Sequence, residues 1–295
     1  MITARMIGQF GNQLFTYVVC KILAERTGLA YSPPIEFVNK RGQPVVWSEL
    51  PAIVMAPTAG RVLSERKLEG EHVQRICCDH WFDFSSLRSD RPIHIEQGYF
   101  QNYSLLVGWK QKIRRDWLAI WGRLPRSDPG AVYLHCRRTD YVPGVDNPND
   151  PSRCCLAATL DDYAACLKEF PDAKRLVVVT DDPGDPFMQE FPKLGLPWAI
   201  SGLPWDQDWR LLLAAENLVI CQSTFSWWAG WLGRAWKIVC PLPKGSFWHR
   251  GLVARRSRFA CLPWHPSEPP ANYPNPYPDL YPFDEAERWK WLTLD

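Results

Sequence analysis

Arg175-Leu176-Val177-Val178-Val179-Thr180 is the stretch that decides the fold. Leu176 to Val179 are apolar without interruption, and three of the four are β-branched. A strand with one wet face would alternate apolar and polar residues. An unbroken run reads as a strand buried on both faces, the hallmark of a parallel sheet between helix layers. Upstream, Ala131-Val132-Tyr133-Leu134-His135-Cys136 is a second such strand. Between them, residues 159–170 place Leu160, Tyr163, Ala164 and Leu167 at helical spacing. Thr159 takes the N-cap, with Asp161 and Asp162 in the first turn. Downstream, the pattern predicts a short helix at 185–190, a strand at 198–201, a helix at 206–216, a strand at 218–221, a helix at 226–234 and a strand at 236–240. Strand-helix alternation with short connections predicts an α/β class protein with a doubly wound parallel sheet.

The first half is less regular. A short strand is expected at 3–6, a helix at 12–26, a strand at 92–96 and a long amphipathic helix at 103–122. Arg123-Leu124-Pro125-Arg126-Ser127-Asp128-Pro129-Gly130 has linker composition. The expected division is a domain at 1–125, a second at 126–262, and a proline-rich tail at 263–295 that runs extended and closes in a short helix at 284–291.

Composition narrows the class. The chain has 295 residues, 46% of them hydrophobic and 22% charged, as in a folded globular protein. Lys and Arg total 34 against 32 Asp and Glu, for a net charge of +2. That balance argues against a general nucleic-acid or membrane-surface binder, while leaving room for a local basic pocket. The most apolar stretch, 225–242, is interrupted by Arg234 and Lys237, so no transmembrane anchor is expected. The N-terminus has no basic segment followed by an apolar one, so no signal peptide is expected. The ten cysteines form no C-x-x-C and no regular framework, which predicts mostly free, buried thiols. A cytoplasmic protein is the expectation, with peripheral association at the inner face of the membrane compatible with it.

Three segments carry chemistry. Gly8-Gln9-Phe10-Gly11-Asn12-Gln13 follows the first strand and opens the first helix. It is either a tight strand-to-helix turn or a site where backbone N–H groups meet an anion. It lacks the Gly-Lys-Ser/Thr ending of a P-loop. Asn12 either caps the helix or binds a phosphate or hydroxyl. The second segment, His135-Cys136-Arg137-Arg138-Thr139-Asp140-Tyr141, lies at the C-terminal end of a predicted parallel strand, where α/β sheets bind ligands. Its two guanidinium forks suit phosphate oxygens. Arg138 in particular is open to pairing with Asp140, and His135 to being a packed, hydrogen-bonded core residue. The third segment, Ser223-Thr224-Phe225-Ser226-Trp227-Trp228, sits between a strand and a helix. It is either a second phosphate-binding turn or an ordinary N-cap backed by core tryptophans.

GQFGNQLF, HCRRTDY and STFSWWAGWL, in that order, resemble glycosyltransferase family 11, the α-1,2-fucosyltransferases. Gly98-Tyr99-Phe100-Gln101, Thr180-Asp181-Asp182-Pro183 and the run from Asp208 to Glu216 agree. The FSWW element is specific to that family. HxRR is shared with α-1,6-fucosyltransferases and GxFGNQ with protein O-fucosyltransferases. Three features depart from the pattern: Gln9-Phe10 stand in place of Gly-Leu, Thr139 in place of Gly before Asp140, and the loop at 143–151 diverges.

The resemblance implies a GT-B fold, two Rossmann-like domains facing a cleft, with GDP-fucose held mainly by the C-terminal one. It implies an inverting transfer of L-fucose from GDP-β-L-fucose to a hydroxyl of a β-galactoside glycan. Another fucosyl linkage, α-1,6 or protein O-fucosyl, and a non-catalytic carbohydrate-binding protein are the alternatives. It matches Arg137 to the arginine on the β-phosphate, with Arg138 supporting the loop. His135 and Asp208 match guanine-recognising positions. Ser223, Thr224, Phe225 and Ser226 match the phosphate-side turn, and Asp181 and Gly11 line the donor site. Asn12 matches an asparagine near the diphosphate and sugar. Asp146 and Asp140 are candidate bases by position, with Asp146 preferred. No cofactor and no metal are implied, although Asp206-Gln207-Asp208 spells D-x-D.

Overall fold

The computed structural model describes residues 1–6, 8–31, 36–38, 44–46, 73–77, 85, 87–101, 103–106, 108–118, 124–139, 141, 157–242 and 259–263. Asp140, Asp146, the divergent loop and the tail beyond Pro263, with its expected helix, lie outside them. The chain divides into two compact units, Met1–Arg123 and Leu124–Asp295.

In the second unit six strands form one sheet: β6 (Ala131–Cys136), β7 (Arg175–Thr180), β8 (Trp198–Ile200), β9 (Asn217–Val219), β10 (Lys237–Leu242) and β11 (Phe259–Pro263). They lie in the order β11-β10-β9-β6-β7-β8, and every pair is parallel. Counted from β6, this is the 3-2-1-4-5-6 order of a Rossmann sheet, with the reversal between β6 and β9. All six residues of β6 are buried, as its central position requires. Val132, Leu134 and Cys136 pack with Tyr163 and Cys166 of α4 (Leu160–Leu167) and with Leu176, Val178, Met188, Phe191, Val219 and Val239. His135, one position out of step, belongs to the opposite face by strand alternation and meets Cys221 and Phe225 there.

The local signals explain the helices. Thr159 closes a capping box with Asp162 as the sequence predicts: the Asp162 N–H donates to Thr159 Oγ1 and the Thr159 N–H to Asp162 Oδ2. The predicted helix at 185–190 is a 3₁₀ segment, Pro186–Leu194, because Pro192 inside it cannot donate to an α-helical ladder. α5 (Trp205–Ala214) and α6 (Thr224–Leu232) pack on each other. Trp227 and Trp231 stack at 5.4 Å between centroids and are buried, the core role expected of their i, i+4 spacing. Five described cysteines, Cys20, Cys136, Cys166, Cys221 and Cys240, are buried thiols outside any disulfide.

In the first unit, β1 (Ile2–Ala4) leads into α1 (Phe10–Thr27), which is followed by a β2–β3 hairpin (Glu36–Val38, Pro44–Val46), β4 (Gln74–Cys77) and β5 (Ile93–Gln97). β1 and β4 flank β5 in a parallel three-stranded sheet. α1 is buried over most of its surface, from Gly11 to Leu23.

Two expectations need correction. The long helix at 103–122 is broken into α2 (Tyr103–Leu106), α3 (Lys110–Lys112) and a π-helical turn, Ile113–Trp117. Gly108, at φ 82°, interrupts it, since left-handed backbone ends a helix. Strand β11 was not anticipated. Its residues pair with Ile238–Leu242, so Pro263 ends an edge strand, a position proline tolerates, rather than opening the tail. Among the described residues no helix is long and apolar enough to cross a membrane.

Candidate functional site

The C-terminal ends of β6 and β9 lie side by side where the strand order reverses, and ligands of open α/β sheets bind at such a switch point. After Cys136 the chain leaves β6 through Arg137, Arg138 and Thr139. After Val219 it leaves β9 through Ile220, Cys221 and Gln222, and Ser223 takes the N-cap position of α6 without a side-chain capping hydrogen bond. Two of the three motifs therefore meet at one place, brought together by sheet order across more than 80 residues.

Hydrogen bonds tie this edge together. Tyr141 donates its hydroxyl to Gln222 O at 2.5 Å, joining the β6 loop to the β9 loop. Asp181, at the end of β7, accepts from the Arg138 N–H at 2.7 Å and from Thr139 Oγ1 at 2.6 Å. Its carboxylate also lies 3.8 Å from Arg137 Nε. Asp181 thus shapes the β6 loop and offsets part of the charge of Arg137.

The two arginines have different surroundings. Arg138 donates from Nε to Asp185 Oδ2 at 2.9 Å, with both side chains about seven-eighths buried, and its guanidinium stacks 4.2 Å from the Phe187 ring centroid. Asp185 is a described partner of the Arg138 side chain, while Asp140, the partner the sequence suggested, lies outside the described residues. Burial raises the Asp185 carboxyl, but the Arg138 hydrogen bond, the Phe187 N–H and the Arg138 charge together hold it below the usual range. Arg137 packs over the Tyr141 ring, 5.2 Å from its centroid.

His135 is the packed residue its strand position suggested. It is buried, and Nδ1 lies 3.1 Å from Cys221 Sγ. Burial lowers its pKa to about 3, with Asp181 opposing and Arg137 reinforcing the shift. Burial likewise pushes the Cys221 thiol up to about 12. Both groups are neutral at physiological pH. A thiol proton donated to Nδ1 leaves the ring proton on Nε2, making the imidazole a donor there.

Within the α6 turn the residues differ. Thr224 and Phe225 are partly buried. Ser226 is wholly buried and donates to Ser223 O at 3.2 Å, so its hydroxyl braces the turn from inside. Trp209 of α5 donates its indole N–H to Phe225 O at 3.0 Å and fixes the same turn from behind. Asp208, in the first turn of α5, is buried and accepts from the Ser201 hydroxyl. Burial raises its pKa to about 6, with the Ser201 hydrogen bond opposing and Asp206 adding to the rise. Among the described residues no group of three His, Cys, Asp or Glu side chains is placed to hold a metal ion.

Gly11 and Asn12 belong to the first unit. Gly8 takes φ 77°, which turns the chain from β1 into α1. Its carbonyl accepts from Gln13 Nε2 at 2.7 Å, and Asn12 Oδ1 accepts from Gln101 Nε2 at 2.9 Å.

This edge presents a guanidinium and the N-terminus of a nine-residue helix, both suited to an anion. Sequence reading missed the Tyr141–Gln222 tie, the Cys221–His135 pair and the role of Asp185. Only the last had a sequence signal, an Asp at the N-cap of a segment that opens with proline, where it accepts from the Phe187 N–H.

No family model and no curated protein sequence matches the chain. Among solved structures, POFUT1 in complex with GDP aligns over 79% of this chain and 95% of its own, at 14% identity and a TM-score of 0.43. POFUT1 in complex with GDP-fucose aligns over 79% and 94%, at 12% identity and 0.41. A mutant of Arabidopsis thaliana FUT1 in complex with GDP aligns over 81% and 69%, at 12% identity and 0.49.

Proposed function

We propose that this chain is an inverting, metal-independent fucosyltransferase, moving L-fucose from GDP-β-L-fucose to a galactoside hydroxyl in α-1,2 linkage. One observation carries the reading: Arg137 leaves β6 at the switch point, beside the turn that opens α6. A diphosphate seated there would meet a guanidinium on one side and helix N–H groups on the other. As GDP departs, negative charge grows on the β-phosphate while the fucosyl carbon becomes oxocarbenium-like. A cation fixed at that phosphate stabilises the transition state more than the ground state. His135, neutral and braced by Cys221, serves as a donor toward the nucleotide. Asp208, a carboxylate above pH 6, accepts from guanine N1–H and the 2-amino group. Asp181 and Arg138 hold the β6 loop in shape. Gly11 and Asn12 are proposed donor contacts, and Asp146 is the proposed base for the acceptor hydroxyl. A soluble enzyme acting on glycans at the cytoplasmic side fits this reading.

Two measurements test it. Calorimetric titration should give GDP binding well above GMP and UDP. Incubation with GDP-fucose and a panel of β-galactosides should give a product whose linkage is α-1,2. Equal affinity for UDP and GDP would overturn the donor, and a different linkage the acceptor chemistry. Sugar binding with no GDP affinity would leave a carbohydrate-binding protein.

A further inference from the structure

Of the large apolar side chains among the described residues, Leu203, Trp205 and Trp236 stand exposed. Trp236 precedes β10, at the N-terminal edge of the second unit's sheet. Leu203 and Trp205 follow β8, at the C-terminal edge that also carries Arg137. Trp205 is 45% exposed and Leu203 42%, whereas Trp209, one turn along α5, is wholly buried. The apolar stripe of Trp209 and Leu212 therefore continues through Trp205 past the core and out over the ligand edge.

A slack loop does not explain this display. The Ser201 N–H donates to Val178 O at 2.9 Å, and the Asp208 N–H to Pro204 O at 2.9 Å. The Ser201 hydroxyl donates to Asp208 Oδ1, closing the loop on the first turn of α5. Between them Gly202 makes the turn at φ 61°, and the ring of Pro204 fixes the next step at φ −56°. A rigidly held apolar surface beside a buried carboxylate has the make-up of a ligand pocket, apolar walls with a few placed polar groups.

The occupant follows from the spacing. Trp205 and Asp208 are neighbours at i, i+3 on α5, with Cβ atoms about 5–6 Å apart. A nucleobase whose edge donates to Asp208 leaves two apolar faces to be covered, and an indole is the flat partner such a face takes. β8 lies two strands from β6, about 10 Å. A ligand with phosphates at Arg137 and a planar group at α5 must span that length, as a nucleotide does and a single sugar ring does not. We infer that Trp205, flanked by Leu203, is the platform on which the purine base of the donor stacks. The inference rests on the proposed guanine contact of Asp208 and adds a face contact to that edge contact.

Calorimetric titration of the full chain tests it, with GDP, IDP and inorganic pyrophosphate against wild type and W205A. Stacking reads the flat face and not its substituents, and its loss weakens binding by about 5- to 100-fold. W205A should therefore weaken GDP and IDP by the same factor in that range and leave pyrophosphate unchanged. W205F, which keeps a flat ring, should recover most of the GDP affinity. A GDP-to-IDP ratio that collapses in W205A would overturn the inference, because Trp205 would then be a prop for Asp208. Unchanged GDP affinity with a raised KM for the β-galactoside would also overturn it, giving the platform to the acceptor. Should W205A misfold, W205Q takes its place. With 5-fluorotryptophan incorporated, the fluorine resonance that W205F deletes should move on adding GDP and stay on adding pyrophosphate. A resonance indifferent to GDP sinks the inference whatever the activity. A wild type that binds no guanine nucleotide overturns the proposed donor and the inference with it, whereas GDP binding indifferent to W205A overturns the platform alone.

Discussion

The Arg137 guanidinium lies 5.2 Å from the centroid of the Tyr141 ring, and the Tyr141 hydroxyl is anchored on Gln222 O across the switch point. The cation is thus held by a ring that is itself bolted to the neighbouring loop. Arg137→Ala should reduce kcat by about 10²- to 10³-fold, as expected for loss of one charge-stabilising donor. The Arg137 side chain is only 11% exposed, so circular dichroism should first establish that the variant is folded. Near-normal turnover in a folded variant would remove Arg137 from the phosphate.

Tyr141→Phe separates the ring from its anchor. It keeps the face beneath Arg137 and deletes one hydrogen bond, so stability should fall by about 1 kcal/mol in urea denaturation. The rate should fall less than for Tyr141→Ala, which removes both. If Phe and Ala variants were equally slow, the hydroxyl rather than the ring would govern Arg137.

Arg138 and Asp185 form a mostly buried ion pair, and removing one partner strands the other. Asp185→Ala should destabilise the chain by about 3–5 kcal/mol. Because the folded pKa of Asp185 is lowered from 3.8, its contribution is present above pH 3.8 and is lost as pH falls through the folded value. Acid denaturation curves of wild type and Asp185→Ala should therefore converge at low pH.

Asp208 runs the other way. Its folded pKa is raised to about 6, so the stability it contributes is complete below pH 3.8 and is lost as pH rises through 6. Asp208→Asn should accordingly gain on the wild type in thermal melts at pH 7 relative to pH 4. Under the proposed guanine contact, ligand binding has the opposite sign, since that contact needs the carboxylate. GDP affinity should rise between pH 5 and 7 and flatten in Asp208→Asn. IDP, lacking the 2-amino group, should bind about 10- to 100-fold more weakly than GDP, the worth of one charged hydrogen bond. Equal affinities for IDP and GDP would place Asp208 elsewhere.

Chelation bears on the metal-free reading. Activity with GDP-fucose should be unchanged after EDTA treatment and dialysis. Loss on chelation with recovery on Mn²⁺ would make Asp206-Gln207-Asp208 a metal site.

The sequence by itself determined the doubly wound second unit. The unbroken run Leu176–Val179 and the Thr159 cap are local signals, and burial on both faces of a parallel sheet leaves them no other meaning. It also marked both loops of the candidate site, because strand ends followed by arginines or hydroxyls are readable in place. Tertiary structure alone decided the strand order, and so that Arg137 and Ser223 share one edge. It alone decided that Arg138 pairs with Asp185, that Ser226 turns inward and that Tyr141 anchors on Gln222. It also put Gln101 against Asn12, 89 residues away. The physical reason is the same in each case: hydrophobic period and capping act over a few residues, whereas side-chain partners are chosen by which strands pair. β11 escaped notice because an edge strand that includes a proline carries little of either signal.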